Sequence, residues 1–559
     1  MSGTPFRRVR SSLITAIAAA LLAAGCSGGG ESASRDATLV AYLGQAGDMQ
    51  VNFNPFSSSV IEGPGTIFEP LFFFNITKDV APQPLLGTAY SWNADGTKLS
   101  ITLRPGVQFS DGTPFTARDV VFTLDMVAKH KSINTTGYNG KAVAPDDTHV
   151  EITFPAPAFT QGPQVLGRTF MVPQHLWSKI ADPANDVIAQ PVGTGPYKLD
   201  SFKPQAFTYT ANPAYWGGEP AVKHIRFLGL SGNQAGADAL AAKQIDWQTG
   251  PVPDIKNVAK TYAGYQAVIT PMFQVALFAC ANAALGCTGP QTDPAVRQAI
   301  YRAINRTQLN ALAFEGTASD ISPGFALLER DAKWISPKLK EKAAPDAPDP
   351  AQAATLLQGA GYTRGGDGVF AKDGKPLELT VQVPSGWTDY ITAVDTMAQQ
   401  LKQAGIKLIS QQVSYNEWAD ARTRGRFQLL IDQLLQGPSA DPYYTFNYYF
   451  ATETTAKVGE SAYPNYSRFS DPEVDAALNA LKQIAPDDAA KRQPLYDVVQ
   501  TKAEQAMPYI PVLTSGTISV YHDAKFTGWP TKDNLYAFPA VWNRPDQAQI
   551  YKALKPAGP

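Results

Sequence analysis

Residues 377–413 read "LELTVQV", then "TDYITAVDTMAQQLKQAG", then "IKLISQQV". This order of alternating apolar run, helical spacing and second apolar run is the pattern of a βαβ crossover. It requires a parallel sheet, because two strands joined through a helix cannot close as a hairpin. The surrounding punctuation agrees. Asp293-Pro294, Asp349-Pro350 and Ser470-Asp471-Pro472 each set a capping side chain before a proline at the first helical position, and the units that follow carry helical apolar spacing. A long helix is expected from Asp487 to Ala506, and "PYIP" at 508–511 marks a crossing, since prolines pin the backbone without needing an N–H partner. The second half therefore reads as α/β. Residues 38–115 instead read as short strands joined by tight turns at Asp95-Gly96 and Asp111-Gly112, an antiparallel style. Thr116 with Asp119 forms a capping-box variant before the helix "TARDVVFTLDMVAKH".

The N-terminus carries Arg7, Arg8 and Arg10, an apolar run from Leu13 to Ala24, and then Gly25-Cys26 before a Gly/Ser-rich spacer. The run is too short to span a bilayer and reads as a secretory signal over residues 1–25, with a flexible tether at 26–37. Ala23, Ala24 and Gly25 before Cys26 resemble a bacterial lipobox, in which that cysteine is lipidated and becomes the first mature residue. Two acyl chains, palmitate among them, anchor stably. The expected location is the outer face of a cytoplasmic membrane, lipid-anchored and extracytoplasmic or periplasmic. Loss of residues 1–25 removes three of 47 basic residues and no acidic ones, leaving 44 against 49 and a net charge of −5. That balance argues against nucleic acid as a partner.

Cys280 and Cys287 remain as an even pair in an oxidising compartment, either closing a small disulfide loop or standing as two buried thiols. The five histidines, His130, His149, His175, His224 and His522, are scattered, with no HExxH pair, and GxSxG is absent. In "KDGKP", Pro376 stands where a phosphate loop needs Ser or Thr. The chain therefore reads as a non-enzyme, with no metal and no cofactor expected. Its length exceeds one hydrophobic core, so two or three domains are expected.

Several stretches resemble one family: "FEPLFFF", "LRPGVQFSDGTPFTARDVVFTLD", "VGTGPYKL", "NPAYWGGEP", "DPAVRQAIYRAINR", "LLQGAGY" and "YSRFSDPEVDAAL". In order and spacing, from about residue 38 to 545, they are similar to the extracytoplasmic solute-binding proteins of ABC importers in the oligopeptide/dipeptide/nickel group, family 5. The resemblance implies an α/β fold, a two-lobed periplasmic-binding-protein-like clam of the large type II with an extra subdomain. Lobe I would combine 38–85, 192–278 and 516–559, the subdomain would occupy 86–191, and lobe II would be 279–515. Hinges would lie near Cys280 and Pro511. The implied function is capture of oligopeptides or dipeptides in an interlobe cleft for delivery to an ABC permease and its ATPase, by a monomer. Two alternatives are the same fold holding an oligosaccharide, a glycopeptide or a flat cofactor, and an envelope lipoprotein acting as an interaction protein.

Cleft binding needs apolar walls with a few polar groups to orient the solute. The candidates are Asn54 and Phe56 in "NFNPFSSS", Gln274 in "PMFQVALF", Trp387 at the carboxyl end of a lobe II strand, and Gln436, Asp441 and Tyr444 in "QGPSADPYYTFNYYF". In the family's peptide-binding branch, an aspartate three residues before an acidic-Pro pair holds the ligand's ammonium. Aligning Asp441-Pro442 with that pair puts Pro438 at the anchor, so either Asp441 or Asp432 takes the role or the ligand lacks a free amine there. Asp441 also reads as a helix cap.

Overall fold

The computed structural model describes residues 38–558 other than 47, 48, 58, 62 and 136; the leader, Cys26 and the tether lie outside them. Ten strands form one sheet: β1 (Thr38–Ala46), β2 (Tyr197–Lys203), β3 (Ala206–Ala211), β4 (His224–Leu230), β5 (Trp247–Thr249), β6 (Gln266–Ala279), β7 (Glu378–Pro384), β8 (Lys407–Val413), β9 (Leu429–Leu434) and β10 (Tyr509–Tyr521). Their order is β8-β7-β9-β6-β10-β5-β1-β4-β3-β2. The fourteen-residue β6 and thirteen-residue β10 run antiparallel at its centre, and each continues into both halves. Pro511 pairs with Ala276 next to a register shift, where a residue without an N–H costs the ladder least.

The βαβ unit folds as its sequence dictates. β7 and β8 pair in parallel from Glu378↔Lys407 to Pro384↔Val413. The expected helix caps form through their side chains: Asp293 accepts from Ala295 N at 2.9 Å, Asp349 from Gln352 N at 2.8 Å and Asp471 from Glu473 N at 2.9 Å. Each satisfies an amide that the first helical turn leaves without a partner.

The antiparallel reading of the first half needs correction. Residues 87–92, 98–103, 141–146 and 149–153 do make a four-stranded antiparallel sheet. α1 (Ala117–Lys129) is capped by Thr116, whose backbone N–H donates to Asp119 at 2.9 Å. β1, however, runs parallel to both β4 and β5. Its partners arrive only after the long 47–223 excursion, so no local turn signals the pairing.

Five further helices position the site: α2 (Gly162–Gly167), α3 (Thr388–Gln403), α4 (Tyr415–Arg424), α5 (Tyr443–Phe450) and α6 (Ala489–Ala506). α6 begins two residues later than expected, because Asp488 is its capping residue and accepts from Lys491 N. The apolar residues gather into two large clusters. One draws on residues between Val275 and Leu513; the other draws on residues between Leu39 and Val268 together with Tyr521 to Leu554. Two cores joined by two long strands make a two-lobed α/β architecture. Cys280 and Cys287 are bonded just beyond β6, with Cα atoms 5.4 Å apart.

Candidate functional site

Gln274 lies at the middle of the sheet, paired in register with Leu434 of β9 on one side and Thr514 of β10 on the other. It is fully buried, and among the described residues neither its amide nitrogen nor its amide oxygen has a hydrogen-bond partner. An unmatched buried polar group costs about 1–3 kcal/mol, so this carboxamide calls for a partner beyond the protein's own atoms, an ordered water or a solute. Directly opposed residues share a sheet face. Thr514, on the face that Gln274 shares, lines a cavity of about 310 Å³ with Thr270, Met272, Ser319, Asp320 and Arg330. The Thr270 hydroxyl is also buried and, among the described residues, unpartnered.

Two more cavities bring together residues distant in sequence. One of about 360 Å³ is lined by Thr249, Phe273, Thr388, Asp389, Gln433 and Trp542. Burial there raises the Asp389 carboxyl above its ordinary value. The other, of about 470 Å³, sets Trp92, Phe159 and Thr160 against Trp334, Asp441 and Tyr444.

The sequence candidates divide. Asn54 is fully buried and its side chain is consumed by the backbone: Nδ2 donates to the Pro183 and Asp186 carbonyls at 3.0 and 2.8 Å, and Oδ1 accepts from Phe56 N at 2.9 Å. It pins a loop and leaves no polar atom for a solute. Phe56 packs edge-on against Trp177 at 5.6 Å and lines a separate cavity of about 460 Å³ that contains no residue of 279–515. Trp387 stands at the carboxyl end of β7 against Tyr390, Tyr415 and Trp418. Gln436, two residues beyond β9, has no partner for its Nε2 among the described residues.

Neither carboxylate proposed for a ligand ammonium is free. Asp441 accepts from Arg492 at 2.8 Å, from the Tyr496 hydroxyl at 2.5 Å and from Tyr443 N at 2.9 Å. Asp432 is paired with Arg422 at 2.6 Å, whose guanidinium lies 4.4 Å over the Trp418 ring. Sequence reading missed Thr270, Thr514 and Arg492. Arg492 had no local signal, being 51 residues from its partner, whereas Thr514 was accessible through its place in an apolar strand.

With this geometry in view, a family model described as the middle region of bacterial extracellular solute-binding proteins, family 5, matches residues 81–456. The chain belongs to that family. It is 25% identical over 484 residues to the glutathione-binding protein GsiB of Escherichia coli strain K12, covering 83% of this chain and 87% of that one. The periplasmic oligopeptide-binding protein of an oligopeptide ABC transporter from Thermotoga maritima superposes with a TM-score of 0.86 at 25% identity, over 94% of this chain and 100% of that one. The mannohexaose-bound structure from the same organism gives 0.80 at 24% identity, with the same coverage. This chain is accordingly a solute-binding protein homologous to binding components of ABC importers, with the large two-lobed type II fold. Its homologues are binding proteins and extracytoplasmic. Among the described residues no helix is long and apolar enough to cross a membrane, and no group of three or more His, Cys, Asp and Glu side chains could hold a metal.

Proposed function

We propose that this chain is the receptor of an ABC importer that captures short peptides between its two lobes, with Gln274 at the centre of the site. The supporting observation is the fully buried, unpartnered Gln274 carboxamide. It offers one acceptor and two donor hydrogens, which match the N–H and C=O that every non-proline peptide residue presents. Recognition through the main chain tolerates variety in side chains. Tyr444 contributes from the wall of the 470 Å³ cavity, and a monomer anchored by lipid at Cys26 hands its solute to a permease with its ATPase. Native mass spectrometry of the purified protein tests the reading: a mixture of short peptides supports it, and release of the protein into the soluble fraction by Cys26→Ser supports the anchor.

A second reading is an uncharged oligosaccharide. The observation favouring it is that Asp441 is held by Arg492 and Tyr496 while Pro438 occupies the anchor position, so no free carboxylate waits there for a terminal amine. Tyr444 and Trp334 on one wall and Trp92 on the other supply faces on which sugar rings stack. A uniform carbohydrate mass on the purified protein would favour this reading over the first.

A further inference from the structure

α5 carries hydroxyls four residues apart, on Tyr444 and Tyr448, and the facing segment carries polar groups at the same interval, on Thr160 and Gln164. Thr160 sits in a 3₁₀ turn (Phe159–Gln161) directly before α2, which carries Gln164. The Tyr444 hydroxyl donates to the Thr160 carbonyl at 2.9 Å, and Gln164 Nε2 donates to the Tyr448 hydroxyl, also at 2.9 Å. Both contacts join residues 284 apart in sequence, and the first bridges the two walls of the 470 Å³ cavity.

The helix that presents these hydroxyls is held rigid from behind. Asp441, just before its first turn, is gripped by Arg492, whose side chain is 1% exposed, and by Tyr496. Phe446 and Phe450 are fully buried, packing on Tyr496 at 5.8 Å and Tyr509 at 5.4 Å. Gly437 lies so close beneath Tyr444 that an added Cβ would stand 2.2 Å from the tyrosine's own. Two further links run parallel to the pair: Arg330 donates to the Ile76 carbonyl at 3.0 Å, and Lys333 pairs with Asp79.

We infer that α5 is a latch which holds the lobes closed through Tyr444 and Tyr448, independently of solute. The inference rests on the closing-cleft reading of the function and adds that part of the closure free energy comes from the protein itself. A solute then supplies only the remainder, and its apparent affinity depends on how far the latch has already populated the binding-competent state. The aromatic density of 443–450 is explained on this reading by the need for a rigid helix with two hydroxyls on its outer face.

The experiment counts closed and open molecules without any solute. Protein stripped of co-purified solute, with its disulfide intact, is labelled on the exposed Lys129 and Lys340 after cysteine replacement and followed by single-molecule energy transfer. Tyr444→Phe with Tyr448→Phe keeps the rings and removes the hydroxyls, so the closed-to-open ratio should fall about tenfold. Gln164→Ala breaks the second contact from the other wall, so it should shift the ratio in the same direction by a smaller factor even if the double variant folds poorly. An unchanged ratio in Gln164→Ala, or in a double variant with wild-type melting temperature, overturns the latch. Because no solute is present, that result leaves the peptide reading untouched, and a wrong solute assignment leaves the latch untouched.

Discussion

Asp441 Oδ2 stands 2.8 Å from Arg492 Nη2, and the pair spans the start of one helix and the first turns of another with the arginine almost wholly buried. A carboxylate so engaged neutralises its neighbour and fixes α5; it is not waiting for a ligand cation. Asp441→Asn should therefore lower stability by about 1–3 kcal/mol in urea unfolding, while the affinity for the co-purified solute changes less than threefold. A large affinity loss at unchanged stability would restore Asp441 to the role of ligand anchor.

Gln274→Leu should move stability and binding in opposite directions. Removing an unmatched buried amide leaves the fold unchanged or more stable by up to about 1–2 kcal/mol, whereas solute affinity falls at least tenfold. Calorimetric titration and urea midpoints measured on the same preparation check both signs. Parallel loss of both would mean that the side chain only supports the sheet.

Much of this architecture could be read locally. The Asp-Pro caps and the β7–α3–β8 crossover depend on residues within a few positions of each other, so their residues announce them. Long-range pairings do not. β1 meets β4 in parallel only after the 47–223 excursion, and Tyr444 meets Thr160 across 284 positions. Asn54 shows a different limit. Its residue type suits a binding loop, but only the packed structure reveals that the Pro183 and Asp186 carbonyls take both of its amide hydrogens.

Asp546 predicts a pH dependence. Burial pushes its carboxyl up to about 6, against the pull of Arg168 and of hydrogen bonds from Phe538 N and Asn543. A folded-state value above the unfolded one means that this group's contribution is fully present below about pH 4 and is lost as pH rises through about 6, a change of roughly 2–3 kcal/mol. Urea titrations from pH 4 to 7 should show this slope in the wild type and lose it in Asp546→Asn.

The Cys280–Cys287 bond closes a short loop just where the chain leaves β6. Replacing both cysteines with serine should cost about 2–3 kcal/mol, the loop-closure value for so few residues. A melting temperature equal to that of wild type would show that the surrounding bonds alone order the loop.

The central claim is that a peptide main chain meets the Gln274 carboxamide between the lobes. Native mass spectrometry of wild type and Gln274→Leu, purified side by side, tests it most directly. The account predicts a heterogeneous set of short peptides on the wild type and their loss from the variant. A single carbohydrate mass series, or peptides retained equally by Gln274→Leu, would contradict it.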